Sequence, residues 1–328
     1  MQYRKLGRTG LNISPLVLGT VNFSWLTNEE DSFEILDYAM EVGLNFFDTS
    51  NNYNAGKSEE LLGRWFAQGG GRREHTVLAT KVYSKPNEWS SPDPAKRDGS
   101  WVGPNDSGLS ARHIRAAVEA SLKRLGTDHI DLYQMHHVDR SVPWEEFFQA
   151  MDVLITQGKV LYVGSSNFAG WHIAAASEAA KRRNSLGLAS EQSVYNLMNR
   201  NLELEVMPAC EAYGLALLTY SPLAGGILAG PPTDNEAGRR SFMPKQESKK
   251  MSAFVALCDE LSHSPADVAL AWVAQSEHVT APIVGPRTLG QLQQSIAALD
   301  IEFDDETLKK LDEIFPGPGG PAPEAYAW

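Results

Sequence analysis

Four side chains have the types and spacing to move a proton: Asp48 at the end of "NFFD", Tyr53 just beyond it, Lys81 closing "TVLATK" and His136 closing "IDLYQMH". A tyrosine near its ordinary pKa of about 10 is a poor proton donor to a weakly basic carbonyl oxygen. A nearby ammonium favours the phenolate and makes the phenol a better acid, and Lys81 is the group able to supply it. A carboxylate beside that lysine, Asp48, keeps it protonated where burial would strip its charge. His136 then donates a hydrogen bond that fixes the carbonyl oxygen. A positioned general acid is worth roughly 10² to 10⁴ in rate, so the rest of the chemistry calls for a hydride source.

Each residue also has an ordinary reading. Asp48 and Lys81 suit an ion pair in any polar layer, Tyr53 a pocket aromatic and His136 a satisfied core histidine. Their convergence sets them apart, because three neighbouring strands bring all four to one end. His136, His137 and Asp139 have the composition of a metal site. Adjacent histidines on a strand point to opposite faces, however, and no second cluster supplies further ligands, so no metal is expected.

Other motifs fail on spacing. "NAGKS" at 54–58 lacks the earlier glycine of a phosphate loop, since Asn51 stands there, and reads as a turn entering a helix. No G-x-G-x-x-G follows a strand, and "GGG" at 69–71 ends a helix instead. Any dinucleotide must be held another way. Cys210 and Cys258 lie far apart in apolar surroundings and suggest neither a disulfide framework nor a metal knuckle, so a reducing cytoplasm is expected.

The elements that position the four residues follow from the apolar pattern. Short buried runs recur at 16–20, 46–48, 76–81, 130–136, 160–166, 188–193, 215–221 and 280–285. Helical patterns lie between them. At 110–125, Ile114, Val118, Leu122 and Leu125 share a face behind a Ser110 cap; at 144–157, Phe147, Phe148, Met151, Leu154 and Ile155 do so between Pro143 and Gly158. Strands alternating with helices predict parallel pairing and an α/β fold, a (β/α)8 TIM barrel spanning residues 1–328, ahead of an open doubly wound sheet.

Two segments exceed ordinary loop length, 84–109 after the third strand and 222–247 after the seventh. Both leave C-terminal strand ends, where a barrel builds its active site. The first carries Trp89 and Trp101, candidates for lining an apolar pocket or for anchoring a surface insertion. An irregular tail, "PGPGGPAPEAYAW", follows at 316–328. It is read as docking over the barrel mouth or as a tied-down terminus.

The chain has 328 residues, 42% hydrophobic and 21% charged, with a formal net charge of −12. That balance argues against nucleic acid, whose binding needs clustered Lys and Arg. No apolar stretch approaches the roughly 18 residues of a membrane span, and the N-terminus lacks the apolar core of a secretory signal. A small-molecule partner is expected.

The sequence resembles the aldo-keto reductases, NADPH-dependent (β/α)8 barrels that reduce carbonyls. The resemblance runs through "YRKLGRTGLNISPLVLGT", "GLNFFDTSNNY", "LATKV", "DLYQMHHVD", "GKVLYVGSSNF", "EQSVYN", "YSPLAGG" and "IVGPRTLGQLQQS". It implies an N-terminal β-hairpin before the barrel and a catalytic tetrad of Asp48, Tyr53, Lys81 and His136. For the cofactor it implies Ser166, Asn167 and Gln192 at the nicotinamide amide and Tyr220 stacked on the ring. Gly19 and Thr20 at one edge, and the Ser221, Pro222, Leu223 and Gly225 loop at the pyrophosphate, extend that site. Gly285, Arg287, Gln291, Gln294 and Ser295 fall at the adenosine end, where Arg287 can fork onto a 2′-phosphate and a helix N-terminus attracts anionic charge. Thr288 and Gln291 also fit a T-x-x-Q capping box, a structural role that needs no cofactor.

Two departures matter. Many relatives have Asn where this chain has Ser295, and some have a basic residue at Gln291, so NADH stays open beside NADPH. His137 and Val138 stand where relatives carry Trp or Arg and then Pro, which makes His137 a candidate substrate contact. The branch resembled includes reductases of nucleotide-linked deoxysugars and general aldehyde reductases. It also neighbours potassium-channel β-subunits, which implies an alternative: an NADPH-binding regulatory subunit with little turnover.

Overall fold

A computed structural model describes residues 1–84, 103–230 and 248–325 of the chain. Strands β1 (Arg4–Lys5) and β2 (Asn12–Ile13) pair antiparallel as the expected hairpin. The barrel strands are β3 (Val17–Gly19), β4 (Phe46–Asp48), β5 (Val77–Val82), β6 (Ile130–Met135), β7 (Val160–Ser166), β8 (Leu188–Val194), β9 (Ala216–Tyr220) and β10 (Ala281–Val284). They pair in parallel in chain order, and β10 closes on β3. The barrel predicted from eight apolar runs is the barrel observed.

Strand alternation sorts the side chains into two cores. Residues facing the barrel axis, Val17, Phe46, Val77, Ala79, Leu132, Ala216, Leu218, Ala281 and Ile283, pack with Leu6 and Ile13, so the hairpin plugs the N-terminal end. Residues facing outward, such as Leu18, Phe47, Leu78, Tyr133 and Val163, pack against the helices. Further along the same strands the inward series turns polar, with Asp48, Lys81, Gln134, Ser166 and Gln192 all buried. The barrel therefore has an apolar floor and a polar mouth at its C-terminal end.

Helices α1 (Glu29–Glu41), α2 (Lys57–Phe66), α3 (Ala111–Leu125), α4 (Trp144–Thr156), α5 (Gly170–Arg182), α6 (Leu202–Tyr213), α7 (Ser248–Leu261), α8 (Pro265–Gln275), α9 (Leu289–Ala297) and α10 (Asp305–Ile314) surround it. Ser110 caps α3 by accepting from the His113 N–H. In α4, Phe147, Phe148, Met151 and Leu154 are buried as predicted, but Ile155 is 39% exposed. It lies in the last turn of the helix, past the edge of the buried stripe. No helix among the described residues is long and apolar enough to cross a membrane.

Trp89 and Trp101 lie outside the described residues, as does the segment from 231 to 247. The described part of the tail is tied down: the Ala322 N–H donates to Leu204 O at 2.7 Å, and Arg200 donates to Phe315 O at 3.1 Å.

Helix α2 must sit close to α3, and Gly63 makes that approach possible. A Cβ at Gly63 would lie 2.2 Å from the Arg124 carbonyl oxygen, a backbone atom that cannot swing away. Gly63→Ala is expected to cost about 1–3 kcal/mol through overpacking. Urea unfolding measures it, and an unchanged midpoint contradicts the close packing.

Candidate active site

Register places the charged pair. Asp48 lies opposite Ala79, so Lys81 is its diagonal neighbour on the same face of the adjoining strand. The lysine reaches back across that diagonal. Its Nζ donates to Asp48 Oδ2 at 2.5 Å, to Thr49 O at 2.8 Å and to Tyr53 Oη at 3.0 Å. Those three bonds use all three ammonium protons. Burial alone would push the Lys81 ammonium down, but the Asp48 charge and the Tyr53 oxygen outweigh it and hold the group above its ordinary value.

The other Asp48 oxygen is held as firmly. Gln134 Nε2 donates to Oδ1 at 3.0 Å and Gln192 Nε2 at 2.9 Å. Gln134 was missed as a site residue because one glutamine in a strand carries no motif. Gly164 on β7 gives it room, since a Cβ there would come within 3.0 Å of Gln134 Cγ.

Tyr53 arrives from a tight turn after β4. Asn54, Ala55 and Gly56 have φ of 48°, 57° and 88°, three successive left-handed residues, of which the alanine is the costly one. Hydrogen bonds hold the turn in place. Ser58 Oγ lies 2.8 Å from Thr20 Oγ1 and 3.0 Å from Thr49 Oγ1, and Asn54 Nδ2 donates to Ser24 O. Thr20, a candidate cofactor contact, is wholly buried with its hydroxyl committed to this bracing.

His136 follows the last residue of β6, and its ring meets Tyr53 edge-on at 5.9 Å. Burial, then the positive charge of Lys81 and the neighbouring His137, push its pKa well below the ordinary value, so the imidazole is neutral. Its Nδ1 lies 3.2 Å from Ser50 Oγ, a partner that no sequence pattern announced. The expectation that His136 and His137 point to opposite faces is corrected: their rings stack at 5.6 Å with 11° between planes. Strict alternation ends with the strand at Met135, and the chain turns before His137. His137 is exposed, with its ring edge-on to Tyr83 at 5.6 Å.

The residues expected to hold a cofactor ring the same mouth. Asn167 is left-handed, with φ of 60°. Its Nδ2 donates to His136 O at 3.2 Å and to Ser166 Oγ at 3.0 Å, and its Oδ1 accepts from Tyr220 Oη at 2.8 Å. Beyond Tyr220, Ser221, Ala224 and Gly225 have φ of 55°, 48° and 68°, and Asn196 Nδ2 donates to Ser221 O at 2.9 Å. Pro222 is buried and Leu223 O accepts from the Gly226 N–H at 2.8 Å. At α9, Thr288 caps the helix through the Gln291 N–H, while Gln291 Oε1 accepts from the Arg287 N–H at 2.8 Å. The box thus closes one residue earlier than its T-x-x-Q spacing implies. Gln294 Nε2 donates to Ser264 Oγ at 3.0 Å, and Ser295 Oγ to Gln291 O at 2.8 Å.

The aldo/keto reductase family model matches residues 15–315. The chain belongs to the aldo/keto reductase family. It is 49% identical to a Bacillus subtilis protein named "uncharacterized oxidoreductase YrpG", over 100% of both chains. It is 32% identical to the versiconal hemiacetal acetate reductase of Aspergillus parasiticus, over 96% of this chain and 97% of the relative. A probable voltage-gated potassium channel subunit beta of Arabidopsis thaliana is 33% identical over 92% of each. The relatives support an oxidoreductase.

Aldo/keto reductases generally use nicotinamide cofactors, and the residues present suit one. Carboxamides and hydroxyls line the β7, β8 and β9 rim, and Arg287 immediately precedes Thr288, the N-cap of α9. Between β3 and β10, Asn22 Nδ2 donates to Gly285 O at 2.7 Å. Its Oδ1 is buried without a partner among the described residues, an acceptor suited to a hydroxyl or amide donor.

Removing one member of a buried ion pair strands the other. Lys81→Met is expected to destabilise the fold by about 3–5 kcal/mol, with much of that recovered in the Lys81→Met, Asp48→Asn double variant. A double-mutant cycle from urea unfolding checks this. Additive losses contradict the coupling.

Proposed function

We propose that the protein is an NADPH-dependent carbonyl reductase that converts an aldehyde or ketone to an alcohol. The observation that carries this reading is the Lys81 ammonium, shared between Asp48 Oδ2 at 2.5 Å and Tyr53 Oη at 3.0 Å. When bound, the nicotinamide supplies the hydride. Tyr53 gives its proton to the carbonyl oxygen as negative charge builds there, and the adjacent ammonium stabilises the phenolate left behind. Asp48 keeps that ammonium charged and oriented.

His136, neutral and next to Tyr53, holds the carbonyl oxygen with a ring N–H. For Nε2 to carry that proton, Nδ1 must accept one, and the Ser50 hydroxyl at 3.2 Å is placed to give it. The Ser50 hydroxyl donates to Asn52 Oδ1 at 2.8 Å, so it can give its proton to Nδ1 only when that carboxamide turns its NH₂ toward Ser50, and the amide orientation selects the tautomer.

In the same reading Ser166, Asn167 and Gln192 hold the nicotinamide amide and Tyr220 stacks on the ring. Gly19 and Thr20 shape the adjoining edge, and the Ser221 to Gly225 turn holds the pyrophosphate. The adenosine end falls to Gly285, Arg287, Gln291, Gln294 and Ser295, and the preference for NADPH rests on Arg287. For the substrate we propose a sugar or a nucleotide-linked keto-sugar, because exposed His137 beside Tyr83 gives the mouth a polar wall. The likeness to proteins named as potassium channel β-subunits favours a second reading, an NADPH-binding regulatory subunit.

Tyr53→Phe is expected to lower turnover by roughly 10² to 10⁴, the worth of a positioned acid, with NADPH affinity near wild type. NADPH oxidation over a panel of aldehydes and a keto-sugar nucleotide reads this out. Wild-type turnover in the variant rejects Tyr53 as the acid, and tight NADPH binding with no turnover in the wild type favours the regulatory reading.

Arg287→Ala is expected to lower NADPH affinity by about 1.5–3 kcal/mol, the worth of a charged hydrogen bond, with NADH affinity little changed. Fluorescence titration of both nucleotides measures the ratio. An unchanged ratio removes Arg287 from the selection.

A further inference from the structure

Glu191 is a carboxylate with 0% exposure, lying on β8 between the inward-facing residues Ser190 and Gln192. It therefore points outward, away from the barrel axis and toward the end of β7. No arginine, lysine or histidine pairs with it in the described structure. Hydrogen-bond donors surround it instead. Oε2 accepts from Ser165 Oγ at 2.5 Å, and Oε1 accepts from the Phe168 N–H at 3.0 Å and from Ser193 Oγ at 2.6 Å.

Ser165 and Phe168 flank the turn formed by Ser166 and Asn167. One carboxylate thus grips the chain on both sides of that turn, and Asn167 within it holds a left-handed φ of 60°. The Asn167 side chain in turn joins the His136 carbonyl, Ser166 and the Tyr220 hydroxyl. A buried charge without a counter-ion is costly, and burial pushes the Glu191 carboxyl up to about 7 even against these donors. A residue kept at such cost is performing a task that an apolar side chain of the same size does not.

We infer that Glu191 is a positioning residue for the cofactor: its carboxylate staples the turn between Ser165 and Phe168 and so presents Ser166 and Asn167 to the nicotinamide amide. The inference rests on the cofactor reading proposed above. Glu191 touches neither cofactor nor substrate. It acts through the backbone of the turn, so its removal weakens cofactor binding and leaves the proton-transfer group in place.

The test compares Glu191→Met, which has similar length and no acceptor of comparable strength, with Glu191→Gln. A glutamine keeps an oxygen for the Phe168 N–H and Ser193 and turns its NH₂ toward Ser165 Oγ. Three quantities are measured on the full chain: NADPH and NADH dissociation constants by fluorescence, kcat at saturating cofactor, and hydrogen exchange at the Phe168 amide. Glu191→Met is expected to raise the cofactor dissociation constant at least about tenfold while kcat stays within about threefold, and Glu191→Gln to restore affinity to within about threefold. An unchanged dissociation constant in Glu191→Met overturns the inference, as does an equal loss in both variants.

Should Glu191→Met fail to fold, Ser165→Ala opens one side of the staple and leaves the carboxylate in place. A rise in the dissociation constant of about threefold or more supports the staple, and no change overturns it. If the wild type binds neither nucleotide, the cofactor reading falls by itself. The Phe168 amide then judges the staple separately: exchange about tenfold faster in Glu191→Met, or in Ser165→Ala if that variant is used, supports it, and unchanged exchange overturns it.

Discussion

A lysine ammonium with 0% exposure is the constraint around which the barrel mouth is built. A charge that far from water is tolerable when every proton finds an acceptor and one acceptor carries the opposite charge. Lys81 finds Asp48, the Thr49 carbonyl and Tyr53. The requirement then passes outward. Asp48 has a second oxygen to satisfy, which brings in Gln134 from β6 and Gln192 from β8. Gln134 needs space, which Gly164 on β7 leaves open. One buried charge thus dictates inward residues on five successive strands, and the apolar floor beneath them supplies the rigidity that keeps the polar layer in register.

The rim shows where the backbone yields to these demands. Asn54, Ala55, Asn167, Ser221 and Ala224 all hold positive φ without being glycine. Such conformations cost on the order of 1–3 kcal/mol each and persist when the surroundings overdetermine them. Here they are held by hydrogen bonds to neighbouring loops, such as Asn196 Nδ2 donating to Ser221 O and Asn54 Nδ2 donating to Ser24 O. These five positions lie where the chain leaves the strands for the mouth, and within the barrel the β7 and β8 pairing itself shifts register between Val163 and Gly164.

That division explains what the sequence could reveal. Apolar runs bounded by helical patterns disclose the eight strands, because parallel strands are buried on both faces and read as continuous hydrophobic stretches. Caps such as Ser110 and Thr288 are equally legible, since their bonds are local. The tetrad was reachable because strand ends in a barrel share one face. Gln134, Ser50 and Glu191 were not, for the partners that give them their place in the site, Asp48, His136, Phe168 and Ser165, lie 86 residues from Gln134 and from Ser50, and 23 and 26 residues from Glu191, and no spacing rule links them. The two histidines show the limit from the other side. Period-two alternation is a property of a strand, and it says nothing about His137 once β6 has ended at Met135.

The proposed acid and the proposed cofactor residues are physically joined. Gln192 Nε2 already donates to Asp48 Oδ1 at 2.9 Å and to Gln134 Oε1 at 3.2 Å, so its amide nitrogen is committed to the charged pair, while among the described residues no donor occupies its oxygen. Asn167 is committed likewise, with its amide on the His136 carbonyl and its oxygen on Tyr220. A donor arriving at Gln192 bonds a side chain that orients Asp48, and a group arriving at Asn167 meets one that anchors the His136 backbone. On the proposed reading, a nicotinamide amide engaging these two residues therefore acts on both sides of Tyr53, because hydrogen bonds in a buried chain polarise one another. The geometry of the acid is then completed by what binds beside it, which links carbonyl protonation to the presence of the hydride donor.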